Sequence, residues 1–248
     1  RSTRKASSAA SDVYKRQNLD EQEKEKFNSL DHSWWDPEGP LKTLHDINPT
    51  RIGYIKKFTD LEGCVACDIG CGGGILTEGL ADQGAHVSGV DAAENLIKIA
   101  KKHAQDNGQT IDYRVELSNV TATSHEENFD LVTCLELIEH VPDPEALIAD
   151  CERLLKPGGT LVISTLNRNP VSYALGIVAA EYILKILPIG THDYSRFLKP
   201  SEIAKWARRV NLELQDVSGL YYNPLTRSTK IGGLPIVNYL ATFIKEKS

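Results

Sequence analysis

Residues 64–74 read Cys-Val-Ala-Cys-Asp-Ile-Gly-Cys-Gly-Gly-Gly. Cys64 to Ile69 is a short apolar run ended by glycines, the pattern of a strand buried on both faces of a parallel sheet. The glycines that follow let a ligand approach the backbone, and the amides of the helix they open point outward. Working outward, helices are expected at Leu76–Gln83, Ala92–Asn107, Pro144–Leu155 and Ser201–Val210, the third stopped by Pro157-Gly158-Gly159. Strands are expected at Ala85–Val90, Ile111–Glu116, Phe129–Leu135, Leu161–Thr165, Glu213–Tyr222 and Val237–Ile244. Strands alternating with helices make this a doubly wound, mostly parallel α/β sheet of seven strands. Ahead of it, polar residues from Asn18 to Lys26, an aromatic cluster at Ser33–Pro40 and a helical stretch at Pro49–Phe58 predict a helical cap over 18–60.

The 248 residues are 41% hydrophobic and 25% charged, which fits one large globular domain and excludes a fibre or a disordered tail. With 28 basic and 34 acidic side chains the net charge is −6, so no global field favours nucleic acid. Five cysteines, an odd number, predict free thiols in a reducing compartment such as the cytoplasm or mitochondrial matrix. Cys64, Cys67 and Cys71 have a cluster-like spacing but lie in and just after a strand, with no fourth ligand nearby. Methionine is absent, and residues 1–17 are basic and Ser-rich with one acidic residue, the composition of a transit peptide or of non-native sequence. They are expected to form a disordered or foreign extension outside the domain at 18–248.

A glycine loop alone is weak evidence, and its acidic neighbours sharpen it. Asp91 ends the next strand, 17 residues beyond Gly74, where a carboxylate can accept both ribose hydroxyls of a nucleoside. Asp68, immediately before Gly70 and Gly72, would repel a pyrophosphate and attract an ammonium group. S-adenosylmethionine has an amino-acid moiety, a cationic sulfonium and no phosphate, so this pairing favours it over a nicotinamide dinucleotide.

The run Val65 to Leu76 and the string LLKPGGTLVIST at 154–165 resemble motifs of class I S-adenosylmethionine-dependent methyltransferases. The strings WWDPEGPLKTLHDINPTRIGYI (34–55), LELIEHVPDP (135–144), STLNRNP (164–170), GTHDYSRFLKP (190–200) and GLYYNP (219–224) together resemble the ubiquinone biosynthesis O-methyltransferase family. The resemblance runs from Asn18 to the C-terminus. It implies O-methylation of a polyprenylated catechol or quinol, and a cofactor held by Arg51, Gly70, Asp91 and Leu135, with Arg51 pairing the methionine carboxylate. A peripheral position on the inner membrane and association with a ubiquinone-biosynthesis complex go with that reading.

Glu136, Glu139 and His140 follow the strand ending at Leu135 at i, i+3 and i+4, so a helix starting there would carry all three on one face. A phenol with a pKa of about 10 must be deprotonated before it can accept a methyl group. Two carboxylates and an imidazole suit Mg²⁺ or a similar ion that would acidify a catechol, and the resemblance implies a metal at these positions. Two other readings stay open: His140 as general base without metal, and a turn whose residues only orient backbone. His192 suggests a lid, His45 an anchor for the N-terminal segment, and Trp34, Trp35, Tyr221 and Tyr222 either an aromatic acceptor pocket or ordinary core.

Tyr173 to Ile189 interrupts the alternation within an insertion at 170–190. Its 17 residues carry only Glu181 and Lys185 as charges, too short a stretch to span a bilayer, with a wide apolar face suited to a membrane surface. Within enzymes the competing reading is methylation of another small molecule or quinone precursor. A nicotinamide-dependent oxidoreductase and a non-catalytic membrane or assembly module are the competing classes.

Overall fold

A computed structural model describes residues 18–28, 32–173 and 194–247. Eight strands form one sheet: β1 Val65–Ile69, β2 His86–Asp91, β3 Asp112–Val115, β4 Phe129–Leu135, β5 Leu155–Leu166, β6 Leu212–Asn223, β7 Ser228–Ile231 and β8 Asn238–Lys245. Their order is β3-β2-β1-β4-β5-β8-β6-β7, parallel from β3 to β5 and antiparallel where β8 meets β5 and β6 and where β7 meets β6. The seven expected strands are present. The eighth, β7, is a four-residue edge strand of sequence STKI, too short and polar to stand out as a period-2 pattern.

The helices of seven or more residues are α1 Glu21–Asn28, α2 Lys42–Ile55, α3 Ile75–Ala81, α4 Glu94–Asp106, α5 Ser118–Ser124, α6 Pro144–Leu154 and α7 Pro200–Arg209. α2 begins seven residues before the expected start at Pro49, which lies inside the helix. Proline is favoured in a first turn, and that preference is what misplaces the start. α6 is capped at its start: Asp143 accepts from the Ala146 amide at 3.0 Å, and Pro144 takes the first position.

Both faces of the sheet are covered. One apolar cluster joins Val132, Cys134 and Ile163 to α6 and α7 through Leu147, Cys151 and Ile203. The other joins Ala66, Leu131 and Val162 to Tyr54 and Ile55 of α2 and Leu76 and Leu80 of α3. All five cysteines are buried free thiols. The parallel strand order reverses between β1 and β4, and a crevice outside the carboxyl ends of the strands at such a point is where α/β sheets bind ligands.

Most of the apolar insertion, and His192, lie outside the described residues, as do residues 1–17. Among the described residues no helix is long and apolar enough to cross a membrane.

Candidate active site

A cavity opens at that reversal. It is lined by Gly70, Cys71 and Gly72 after β1, Asp91 and Ala92 at the end of β2, Leu135 to Leu137 and His140 at and beyond the end of β4, Arg51 and Trp34 from the cap, and Asn18 to Asp20 with Glu23 from the N-terminal segment. Of the nine site residues expected from sequence, Arg51, Asp68, Gly70, Gly72, Asp91, Leu135, Glu136 and His140 line it. Glu139 does not.

The loop between β1 and α3 is shaped by its glycines. Gly70 and Gly72 have φ of +76° and +54°, and a Cβ on Gly72 would lie 2.6 Å from the Trp34 ring. The indole of Trp35 donates to the Gly73 carbonyl at 2.9 Å and stacks on His103 with ring centres 3.5 Å apart. The two tryptophans therefore clamp the loop, Trp34 within the cavity wall, while His45 anchors the Trp34 carbonyl at 2.9 Å. Tyr221 is exposed and Tyr222 donates to Asp46 at 2.7 Å; neither lines the cavity.

The acidic pair stands where the strand ends put it. Asp91 accepts from the Gly72 and Ala93 amides at 3.0 and 2.8 Å, two of the roughly four acceptor positions of a carboxylate. Burial pushes it above the usual carboxylate range. The pairing of Asp68 with Thr133 across β1 and β4 brings the Thr133 hydroxyl to 2.7 Å from one Asp68 oxygen; Thr77 of α3 donates to the other at 2.7 Å. Burial raises Asp68 to about 6, against the lowering effect of these hydroxyls.

Glu136 to His140 depart from the expected helix. Glu136 takes φ of +55° and the chain runs through turns until α6, so the i, i+3, i+4 spacing does not align the three side chains. Glu136 accepts from Arg51 at 2.7 Å, Ser164 at 2.8 Å and Asn238 at 3.1 Å. Glu139 turns into the core, only 4% exposed, and accepts from Thr165 at 2.8 Å. Burial, with Glu136 as a like charge, pushes it up to about 8. His140 lies with Nδ1 2.9 Å from Glu23.

Among the described residues no group of three or more His, Cys, Asp or Glu side chains is arranged to hold a metal ion. The expected Glu136, Glu139 and His140 set does not fit one in this arrangement, because the left-handed turn at Glu136 sends the three to different partners.

For the nucleoside cofactor the fit is better. Gly70 and Gly72 line the cavity with backbone that carries no side chain. Arg51 is 5% exposed, and its Nε has no hydrogen-bond partner, a buried donor suited to a carboxylate. Sequence reasoning missed Glu23, Thr77, Thr133 and Asn238, which come from distant segments and carry no local motif.

A methyltransferase-domain family model matches residues 67–163. The fold resembles magnesium protoporphyrin IX methyltransferase from Synechocystis with bound SAH (TM-score 0.61, 17% identity, 95% of this chain and 99% of that one). It also resembles the PH0226 protein of Pyrococcus horikoshii (TM-score 0.63, 16% identity, 90% and 99%). Fold, loop and cavity are those of the class I S-adenosylmethionine-dependent methyltransferases. The ubiquinone biosynthesis O-methyltransferase of Dechloromonas aromatica is 49% identical over 92% of this chain and 98% of its own length, and that of Methylococcus capsulatus 49% over 89% and 93%. The chain belongs to the ubiquinone biosynthesis O-methyltransferase family.

Proposed function

We propose that this enzyme methylates a hydroxyl of a polyprenylated catechol or demethylubiquinol on the way to ubiquinone, with His140 as general base. The observation that carries the reading is one cavity shared by the glycine loop, Arg51, Asp68 and Asp91 on one side and His140 on the other. When bound, S-adenosylmethionine supplies an electrophilic sulfonium methyl group. Arg51 pairs its carboxylate, Asp68 favours its ammonium, Asp91 accepts from the ribose hydroxyls, Gly70 and Gly72 admit it to the backbone, and Leu135 packs against it.

His140 Nε2 takes the phenol proton as the oxygen attacks, so the charge that leaves the acceptor stays on the imidazole. Positioning of the two reactants accounts for the largest share of the rate. Glu136 serves as counter-ion to Arg51. Glu139 has a structural role, consistent with its burial.

The test is to incubate purified protein with S-adenosylmethionine and a catechol acceptor, with and without EDTA, and to detect the methyl ether by mass. Formation of the ether in both arms is expected. No ether in either arm refutes the reading; loss only with EDTA refutes His140 as a metal-free base.

The acceptor's polyprenyl tail adds a peripheral site on the inner membrane to the proposal. Val171, Tyr173, Leu234 and Ile236 are exposed, and Asn169 ties the last of these to the start of the insertion through a 2.7 Å bond to the Ile236 carbonyl. Each methylene they bury would contribute about 0.8 kcal/mol. Sedimentation with anionic liposomes is expected for wild type and reduced for Ile177→Glu/Ile183→Glu. No sedimentation of wild type removes the membrane component.

A further inference from the structure

A second cavity, of about 440 Å³, is lined from α2, α3 and the end of α4. Glu78 of α3 and Gln109 beyond α4 line it, and it shares Asn48 and Ile75 with the cofactor cavity. Each of its three polar side chains Asn48, Glu78 and Gln109 carries one buried oxygen without a hydrogen-bond partner: Asn48 Oδ1, Glu78 Oε1 and Gln109 Oε1. Their other polar atoms are engaged. Asn48 Nδ2 donates to the Ile75 carbonyl at 2.8 Å, Gln109 Nε2 donates to Asp82 at 2.5 Å, and Glu78 Oε2 lies 2.8 Å from His103 Nδ1. Exchanging nitrogen and oxygen in either amide would set an oxygen against an acceptor, so the unpartnered amide atoms are the oxygens. Glu78 is only 5% exposed, and burial raises its carboxyl above the usual range against the lowering pull of His103.

Buried polar atoms in folded proteins ordinarily have partners, so a set of unpartnered atoms in one cavity wall indicates the chemistry that would complete it. In the cofactor cavity the unpartnered atoms include Arg51 Nε and Trp34 Nε1, both donors, which suits a ligand that brings a carboxylate. The second cavity is the converse. Its three unpartnered atoms are acceptors, and two carboxylates, Glu78 and Asp82, stand in its wall. We infer that this cavity binds a primary alkylammonium, whose three N–H donors match the three oxygens in number and whose methylenes pack against Pro49 and Ile75. A metal ion is the poorer match, because among the described residues no three His, Cys, Asp or Glu side chains are grouped to hold one. A neutral alcohol brings one donor for three acceptors and leaves the buried Glu78 carboxylate with His103 as its sole partner. The inference is independent of which hydroxyl the enzyme methylates.

Isothermal titration of butylammonium chloride into the protein, with and without saturating S-adenosylhomocysteine, tests it, since the nucleoside keeps the amine away from Asp68. Saturable one-to-one binding is expected in its presence, at least about tenfold tighter than that of 1-butanol or of tetramethylammonium, which has no N–H. Glu78→Gln keeps the shape of the side chain without its charge and is expected to weaken binding at least about tenfold, its melting temperature confirming that it folds. Gln109→Met, which removes one acceptor from a less buried position, is expected to weaken binding at least about threefold and carries the test where Glu78→Gln does not fold. No saturable binding by wild type, equal affinity for 1-butanol, or wild-type affinity in both folded variants overturns the site and leaves a cavity that holds water. Binding that disappears with the nucleoside present puts the amine in the cofactor cavity and overturns it as well.

Discussion

Arg51 and Glu136 face each other across the cavity floor, Nη2 to Oε1 at 2.7 Å, and Arg51 is the more deeply buried partner. Burial pulls the guanidinium down and Glu136 holds it up, with Asp68 and Glu139 adding to the negative surroundings. Arg51→Gln therefore removes a cation that faces Glu136 and lies in the field of Asp68 and Glu139. Loss of a partner from a fully buried pair costs about 3–5 kcal/mol, and the partial exposure of Glu136 brings the expected cost to about 1–3 kcal/mol. Calorimetry is expected to show that loss in stability together with at least about a tenfold fall in cofactor affinity. Unchanged cofactor affinity would exclude Arg51 as the carboxylate partner.

The φ of +54° at Gly72 and the 2.6 Å approach to Trp34 leave no room for a side chain at this glycine of the loop that carries the cofactor reading. An alanine there meets a rigid ring; at Gly70 the nearest obstacle, at 2.8 Å, is the mobile end of Leu137. Gly72→Ala is expected to push Trp34 out of the cavity wall, shift its fluorescence and abolish cofactor binding, at a folding cost of about 1–2 kcal/mol from the left-handed backbone. Gly70→Ala is expected to be milder. Equal binding by both variants would place the cofactor elsewhere.

Asp68 offers a pH signature. Raised to about 6 by burial, its carboxyl is ionised at neutral pH and takes up a proton as the pH falls below that value. If the ionised form attracts the ammonium, cofactor affinity is expected to drop between pH 7 and pH 5 in wild type. In Asp68→Asn it is expected to be low and flat over the same range. Isothermal titration at three pH values reads the difference, and a flat wild-type profile would remove Asp68 from the ammonium contact.

The parts of the site that were legible in sequence are those written in local periodicity. An apolar run, a glycine turn and an acidic residue at the end of the next strand specify β1, the loop and Asp91, because strand and helix periods leave their mark within a few residues. The conformation of Glu136 was not legible. A Glu-x-x-Glu-His spacing suits a helix, and only the surrounding contacts of Arg51, Ser164 and Asn238 select a positive φ there. α5, with the sequence SNVTATS, is poor in helix formers and is held by its surroundings, as Ser118 donates to Asp150 at 2.7 Å. The Glu23–His140 contact joins two distant segments, so no spacing rule announces it.

Glu139 sets a stability trend of its own. Its carboxyl is pushed up to about 8 from an ordinary value of 4.5, chiefly by burial and then by the charge of Glu136, while Thr165 and Arg51 act the other way. The folded protein thus holds a proton at Glu139 that the unfolded chain has already released. Between pH 4.5 and about 8 the native state binds the extra proton, so this residue's contribution to stability is full at the acid end and declines as pH rises through that window. Glu139→Gln keeps the volume and the hydrogen bond to Thr165 without a group that ionises. The variant is expected to melt higher than wild type at pH 8 and to lose the decline across the window, with kcat little changed because the side chain lies outside the cavity. A melting temperature that falls with pH equally in both proteins would show that Glu139 is not the titrating group.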